Sequence, residues 1–435
     1  MPRILIADAK KNNSGRAYLA GFVRNLRLHK GLAFIDLADI SGTIQVVVVE
    51  AEQPDLFKIV EKINLESVIE VSGDLKERPL KKDAPESEPD FELLLDGLKV
   101  VSLAEENLPI PVLVKSSNEA HVDKRFDYRW LDLRAENRSL IFKTWTSLEA
   151  GFREYFLNNN FIQIYTPSLM NTTSETGADV FTVNYFDRKA YLSQSPQFFK
   201  QMAMAAGLEK VFIVGSVFRA EKSFTSRHTT EFTGWDLEVS YISYQDLMKI
   251  EENLLVSGLQ KVKQDLSLDI EIPSQPFPVF TFKEAKERLK KINIIGEKEY
   301  DFSTEEEKAL GEIVKKEFKH DFLFITDYPV EARPFYHRRL EENNTLTRSF
   351  DLLYKGLEIS TGSEREHRYE ILRQQALEKD MNLEELEDYL NFFRYGCPNH
   401  GGIGIGPARI IFKLLNLSSV KEANFLPRDV NRLNP

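Results

Sequence analysis

The sequence predicts an α+β, multidomain protein: a small N-terminal β-barrel of the OB type, then a larger antiparallel-sheet domain flanked by helices. Three observations carry that expectation. The first hundred residues are β-rich with one short helical stretch, and beyond residue 130 strands and helices are interspersed without a regular βαβ alternation. The chain of 435 residues is also long enough for two or three domains that need no disulfide or metal to hold them.

The barrel follows from five apolar, β-branched runs at 17–23, 32–37, 43–49, 67–71 and 91–101, punctuated by Gly31, Ser41-Gly42, Gly73 and a Pro-bounded loop at 79–89. Between the third and fourth runs Leu56, Ile59, Val60 and Ile63 fall at i, i+3, i+4 and i+7, one face of a helix. Five strands with a helix in that position are the OB pattern. Residues 104–130, with Pro109 and Pro111, read as a connector, which divides the chain into 1–103, 104–130 and 131–435. In the last part Leu148, Phe152, Tyr155 and Phe156 mark a helix, and further helices are expected over 245–265 and 304–318. Strands are expected at 211–218, 233–241, 322–326, 349–354 and 357–360. Trp130, Trp145 and Trp235 are expected in the core.

Composition narrows the class. Hydrophobic residues at 42% and charged residues at 29% are those of a globular chain, not a disordered one. No apolar run approaches the ~18 residues of a membrane span, and the N-terminal apolar stretch is too brief for a signal peptide. The single cysteine, Cys397, excludes an intramolecular disulfide and a multi-cysteine zinc site. A cytoplasmic protein with no membrane partner is expected. The net charge of −11 argues against a basic coat, yet residues 1–35 hold seven cations against Asp8 alone. A local basic footprint on an acidic body suits a nucleic acid bound at one end, although a solvated charged face is the commoner meaning of charge alone.

Three clusters can carry chemistry. In the first, Arg219, Glu221, Arg227, His228, Glu231, Phe232, Asp236 and Glu238 lie on a strand–loop–strand frame. With a period of two, Arg219 shares a strand face with Glu221, and Asp236 with Glu238. A cross-strand ion-pair ladder is the ordinary meaning of such a pattern. Phe232 among the charges points instead to a surface that stacks a base and clamps phosphates. No Gly-rich phosphate loop is present, so any nucleotide must be held by side-chain cations. In the second cluster Glu358 is followed three residues later by the hydroxyl of Thr361, beside Gly362. That suits Mg²⁺ held mainly by phosphates, or equally a turn and helix cap. The third is the glycine-rich stretch 400–406 leading to Arg409 in the first turn of a helix.

Taken in order, these clusters resemble motifs 2 and 3 of the class II aminoacyl-tRNA synthetases, about 211–238 and 400–416, with 148–167 resembling the dimer-forming motif 1. The resemblance covers essentially the whole chain and points to the aspartyl/asparaginyl/lysyl subclass, nearest its aspartyl branch of archaeal and eukaryotic kind. Leu192-Ser-Gln-Ser-Pro-Gln197, Lys200-Gln201, Phe218-Arg219-Ala-Glu221, Arg227-His228, Glu358-Ile-Ser-Thr361-Gly, Arg365-Glu-His367 and Pro427-Arg428-Asp429 carry it. It implies ATP-dependent activation of L-aspartate and transfer to tRNA(Asp), with tRNA(Asn) as a further acceptor left open, by a Mg²⁺-dependent homodimer. Arg219 and Arg409 are then expected on the ATP phosphates, Glu221 and Phe232 on adenine, and Arg227 with His228 on the terminal phosphates. Glu358 and Thr361 are expected on Mg²⁺. Lys200 and Arg365 are expected to pair with the substrate's side-chain carboxylate, Gln197 and Asp236 to lie near its α-amino group, and Glu175 to lie in a closing loop. Arg27, Phe34 and Gln45 are expected on the anticodon. Ala408, Thr176, Thr361 and Phe22 depart from the family's usual acid, glycine, serine and tryptophan. An asparaginyl enzyme and a non-catalytic tRNA-binding relative are the alternatives. The histidines without a partner pattern, His29, His121, His320 and His337, are expected to be ordinary packing or surface residues.

Overall fold

The structure is a computed structural model that describes residues 2–12, 15–78, 90–113, 118–172, 180–222, 225 and 227–435. The chain divides into two compact units, residues 1–139 and 140–435. The expected loop at 79–89 and the segment holding Glu175 and Thr176 lie outside the described residues.

The first unit is a closed five-stranded barrel in the order β1-β2-β3-β5-β4. Its strands are β1 (Gly15–His29), β2 (Leu32–Asp39), β3 (Gly42–Val49), β4 (Val68–Arg78) and β5 (Asp90–Ser102), with helices α1 (Ile6–Lys11) and α2 (Pro54–Val60). Alternate residues of each strand point inward, so Leu19, Val23, Ile35, Leu37, Val46, Val48 and Ile69 form the barrel core. β1 runs well beyond the 17–23 expected of it. Gly21 and Gly73 permit the close strand crossings, since a Cβ on either would fall about 2 Å from a neighbouring carbonyl oxygen. The helical face of α2 differs from the expected one. Val60 and Ile63 are buried as expected, but Phe57 is buried and Ile59 is exposed. Two short helices, α3 (Val122–Asp127) and α4 (Arg129–Asp132), end this unit. Trp130 beside them is half exposed rather than core.

The second unit is built on an eight-stranded sheet in the order β12-β13-β14-β15-β16-β11-β10-β6. Its members are β6 (Ile162–Gln163), β10 (Lys210–Phe218), β11 (Glu231–Ser240), β12 (Val279–Thr281), β13 (Phe322–Thr326), β14 (Ser349–Tyr354), β15 (Glu358–Arg365) and β16 (His400–Ile405). A small sheet of β7 (Leu169–Met170), β8 (Thr182–Tyr185) and β9 (Arg188–Leu192) stands apart from it. Helix α5 (Ser139–Asn158) buries Leu148, Phe152 and Phe156, and α7 (Tyr244–Leu266) buries Leu247, Leu254, Leu255 and Leu259 against the same sheet. Gly151 and Gly258 let these two helices touch, for a Cβ on Gly258 would meet the Phe152 ring at 2.5 Å. The remaining helices are α6 (Gln197–Ala205), α8 (Phe282–Lys291), α9 (Thr304–Phe318), α10 (Tyr369–Glu378), α11 (Glu387–Asn391) and α12 (Pro407–Leu414). Thr281 and Ser303 close capping boxes with Glu284 and Glu306, which fixes where α8 and α9 begin. With one face of the sheet covered by α5 and α7, the opposite face over β10, β11, β15 and β16 is free to hold a site. No described helix is long and apolar enough to cross a membrane.

Candidate active site

On that face lies a cleft of about 320 Å³. Every synthetase-site residue expected from the sequence lines it except Glu175, which is outside the described residues.

One end of the cleft is a buried charge cluster. Asp236 and Glu238 share a face of β11, and in the antiparallel register they sit opposite Gly404 and Gly402 of β16. A Cβ on Gly402 would lie 1.9 Å from Glu238 Oε2, so the glycine makes the space the carboxylate occupies. From α6, Lys200 Nζ reaches Asp236 Oδ1 at 2.7 Å and Glu238 Oε2 at 3.5 Å. From the end of β15, Arg365 donates from Nε to Glu238 Oε1 at 3.0 Å, from Nη1 to Ser363 Oγ at 2.6 Å and from Nη2 to the Gly402 carbonyl at 3.1 Å. Burial alone would raise the Glu238 carboxyl, but Arg365 and then Lys200 hold it below the usual range. Lys200 and Arg365 are already balanced by Asp236 and Glu238, and Glu238 is the residue the sequence reading left without a role. His337 is also not an ordinary packing residue: it is buried, lines the cleft, and lies 3.2 Å from Arg365 through Nε2. Since a guanidinium only donates, Nε2 is the acceptor and the imidazole is neutral, in keeping with a pKa held well below 6.5 by burial and by Arg365.

The other end carries the remaining cations. β10 stops at Phe218, so Arg219 and Glu221 follow the strand rather than share a face of it, a correction to the expected pattern. Arg219 is positioned by its backbone N–H on the Thr230 carbonyl, and its guanidinium lies 5.5 Å from the centre of the Phe232 ring. Among the described residues it makes no ion pair, so the salt-bridge ladder is absent there. His228 is hydrogen-bonded to Thr225 Oγ1 at 2.6 Å, and its pKa is lowered by burial first and by Arg409 second. Arg227 is not free: it pairs with Glu307 of α9 at 2.8 Å and donates to Thr304 Oγ1 at 3.2 Å. Burial, then the charge of Glu358, push Glu307 up to about 7. Arg409 donates to the Glu358 carbonyl at 2.8 Å and to its Oε1 at 3.2 Å.

Glu358 and Thr361 lie on β15, with Asp351 of β14 paired in register with Thr361. The Glu358 carboxyl is raised by its desolvated place and then by Asp351, while Arg409 opposes. Asp351 is held at 2.8 Å by Arg333, whose guanidinium lies 3.8 Å from the centre of the Tyr328 ring and faces the cleft. Asp351, Arg333, Glu307 and His337 were all missed in the sequence. They lie on β14, on α9 and in the segment between β13 and β14, outside any spaced motif, and only tertiary packing brings them to the cleft or to the residues that line it.

On the barrel, Arg27, Phe34 and Gln45 do meet. Arg27 and Phe34 are cross-strand partners, and Arg27 donates to Gln45 Oε1 at 3.3 Å while lying 6.0 Å over the Phe34 ring. Asp36 and Glu92 complete the group, as partners of Arg27 and of Gln45 Nε2.

Comparison with known proteins agrees with this arrangement. The model of the class II tRNA synthetases (D, K and N) matches residues 121–430, and that of the OB-fold nucleic acid binding domain matches residues 17–101. The chain is 38% identical to an aspartate–tRNA(Asp/Asn) ligase of Aeropyrum pernix, over 99% of this chain and 98% of that one. It is 36% identical to an aspartate–tRNA(Asp) ligase of Pyrococcus furiosus, over 97% of each. Among solved structures, the asparaginyl-tRNA synthetase of Pyrococcus horikoshii complexed with asparaginyl-adenylate superposes with a TM-score of 0.90 at 29% identity, covering both chains fully.

Proposed function

The chain belongs to the class II tRNA synthetases of the D, K and N kind, and from that premise we propose that its cleft activates L-aspartate with ATP and passes it to tRNA. The carboxylate of aspartate attacks the α-phosphorus of ATP, pyrophosphate leaves, and the aspartyl-adenylate then esterifies the 3′ end of tRNA with release of AMP. Two anions meet in the first step, so fixed positive charge must be in place beforehand. A preorganised donor at such a centre typically supplies about 3–4 kcal/mol. Arg219, without an ion pair among the described residues and beside Phe232, serves the α-phosphate with adenine against the ring and Glu221 at its edge. Arg409, Arg227 and His228 serve the outer phosphates, and Arg227 must exchange Glu307 for phosphate to do so.

Glu358, Thr361 and the adjacent Asp351 are hard oxygen donors, and two carboxylates near enough for one to raise the other fit a divalent cation. When bound there, Mg²⁺ supplies Lewis-acid stabilisation of phosphate charge.

The single observation that carries the choice of amino acid is the Lys200–Asp236 pair. An aspartate zwitterion can replace each partner: its ammonium takes Asp236, with Gln197 beside it, and its side-chain carboxylate takes Lys200 and Arg365. Asparagine also draws Asp236 away, but returns no charge to Lys200. Lys200 and Arg365, both buried, are then left with Glu238 as their one shared carboxylate, and a buried charge short of its partner costs about 3 kcal/mol. Glu175 is proposed to close over the bound amino acid. Arg27, Phe34 and Gln45 form the anticodon-reading surface of tRNA(Asp), and tRNA(Asn) is the acceptor to test beside it. Leu157, Ile162, Tyr165 and Leu169 are exposed apolar side chains around motif 1, and we take them as the homodimer face.

Aspartate- and asparagine-dependent ATP–pyrophosphate exchange, with Mg²⁺ and without tRNA, tests the reading. Exchange with aspartate alone is expected. Exchange with asparagine at equal efficiency would sink the ion-pair argument.

A further inference from the structure

Behind the cleft wall runs a chain of four buried side chains on three elements. His400 opens β16, Gln201 and Gln197 lie one turn apart on α6, and Tyr389 is on α11. All four are at most 4% exposed. Their hydrogen bonds can be directed without ambiguity. His400 Nδ1 lies 2.8 Å from the Pro398 carbonyl, which only accepts, so Nδ1 carries the proton. In the neutral ring Nε2 is then an acceptor, and Gln201, 3.0 Å away, must face it with its amide nitrogen. That turns Gln201 Oε1 the other way, where it accepts from the Tyr389 hydroxyl at 3.0 Å and from Gln197 Nε2 at 2.9 Å. With its nitrogen committed, Gln197 presents its oxygen to the cleft it lines.

We infer that His400, Gln201 and Tyr389 are positioning residues that set the polarity of the Gln197 amide, so that an acceptor faces the substrate's α-ammonium. The inference rests on the reading that Gln197 receives that ammonium. A glutamine amide has a donor end and an acceptor end of nearly one shape, so packing cannot choose between them. Only a directed chain ending at a fixed acceptor, here the Pro398 carbonyl, does so. Flipped, Gln197 would set N–H donors against an ammonium, two like partial charges in a desolvated place.

The chain has one reversible element. Protonated, His400 would donate from Nε2 as well, Gln201 would have to turn its oxygen to it, and Gln197 would flip in consequence. Burial lowers the His400 pKa below 6.5, Glu238 favours the charged ring, and Arg365 and His367 oppose it. Cys397 Sγ at 3.8 Å and the Phe393 ring complete its surroundings. At neutral pH the ring is neutral and the amide stands correctly.

The experiment measures KM for aspartate and for ATP separately, in pyrophosphate exchange with the full-length enzyme. Gln197→Ala tests the underlying reading, and an unchanged aspartate KM would overturn that reading itself. Given a raised value there, Gln201→Met is expected to raise the aspartate KM about tenfold with the ATP KM within twofold, because its thioether cannot hold the Gln197 nitrogen. Gln201→Glu keeps an acceptor toward Gln197 and Tyr389, and its other carboxyl oxygen, protonated, can donate to His400 Nε2, so it is expected to bring the aspartate KM back within about threefold of the parent. Should Gln201→Met not fold, the parent enzyme gives the answer: its aspartate KM rises below pH 6.5 while its ATP KM does not. Equal shifts in both KM values, no gain of Gln201→Glu over Gln201→Met, or an aspartate KM flat through the acid range would each overturn the inference.

Discussion

Replacing Lys200 by methionine tests the charge cluster most directly. Its ammonium has a side-chain exposure of 2%, with Asp236 at 2.7 Å and Glu238 at 3.5 Å. Lys200→Met leaves Glu238 to Arg365 alone and strands Asp236, whose side chain is 9% exposed, without a cation. Breaking a buried pair from one side costs about 3–5 kcal/mol, because the orphaned charge stays buried. The double variant Lys200→Met/Asp236→Asn removes both charges and leaves the Glu238–Arg365 pair intact, and neutral replacement of a whole buried pair is close to cost-free. Urea unfolding of the second unit is therefore expected to show the double variant about 2–3 kcal/mol more stable than Lys200→Met alone, a coupling far beyond the ~0.5 kcal/mol scatter of independent sites. Function should not follow stability. Both variants lack one of the two cations for the substrate carboxylate, and a loss of about 3 kcal/mol corresponds to a rise of roughly 150-fold in aspartate KM. A double variant no more stable than the single would show that the contact is not an ion pair of the folded enzyme. A double variant that activates aspartate as well as the parent would show that the pair does not read the substrate.

Three further outcomes follow from other parts of the molecule. Arg219→Ala should lower the exchange rate by about 10²–10³ with little change in unfolding, as expected of a preorganised donor at a developing charge; a rate within tenfold of the parent would move the α-phosphate elsewhere. Glu251 on α7 is wholly buried, and burial with the charges of Asp351 and Glu252 pushes its carboxyl up to about 8 from 4.5. A folded pKa raised above the unfolded one means that stability falls as pH rises from about 4.5 to 8. Glu251→Gln should therefore add about 3 kcal/mol at pH 7 and nothing at pH 4, read by urea unfolding at the two pH values, and equal gains at both would refute the burial argument. Phe34→Ala should raise the KM for tRNA in charging by about tenfold, the worth of one stacked base, and leave aspartate-dependent exchange without tRNA unchanged.

Much of this was legible because it rests on local repetition. Period-two apolar runs disclosed the barrel strands, and β13, β14 and α9 begin and end where they were expected, at 322–326, 349–354 and 304–318. Phe232, Glu358 and Arg409 stood out because charged and aromatic residues interrupt such runs. What could not be read was pairing across elements. Glu307 meets Arg227 only because Gly311 and Gly356 let α9 press against the turn between β14 and β15, where a Cβ on Gly311 would come 2.6 Å from backbone. Asp351 meets Thr361 only through strand register, and Glu238 neutralises two cations only because Gly402 stands opposite. The strand end at Phe218 fell where it was expected, but Arg219 and Glu221 lie beyond it, so the shared strand face read for them is absent.

Ala408 shows how such a pairing can stand in for a residue that the family pattern expects. The usual acid before the arginine of this helix has an evident purpose, to fix a long cation that must meet phosphate. Here Arg409 is fixed from the sheet instead, by the Glu358 carbonyl at 2.8 Å and its carboxylate at 3.2 Å, both on β15 beneath the helix start. Ala408 is 6% exposed and belongs to the apolar core under α12. A carboxylate there would find Arg409 already engaged by Glu358, and burying one without a partner costs several kcal/mol. Ala408→Glu should therefore leave the ATP KM within about threefold and lower the unfolding midpoint, the opposite of a restored function. A rise in exchange rate of tenfold or more would show that Glu358 does not orient Arg409 well enough for catalysis, and that the missing acid limits this enzyme.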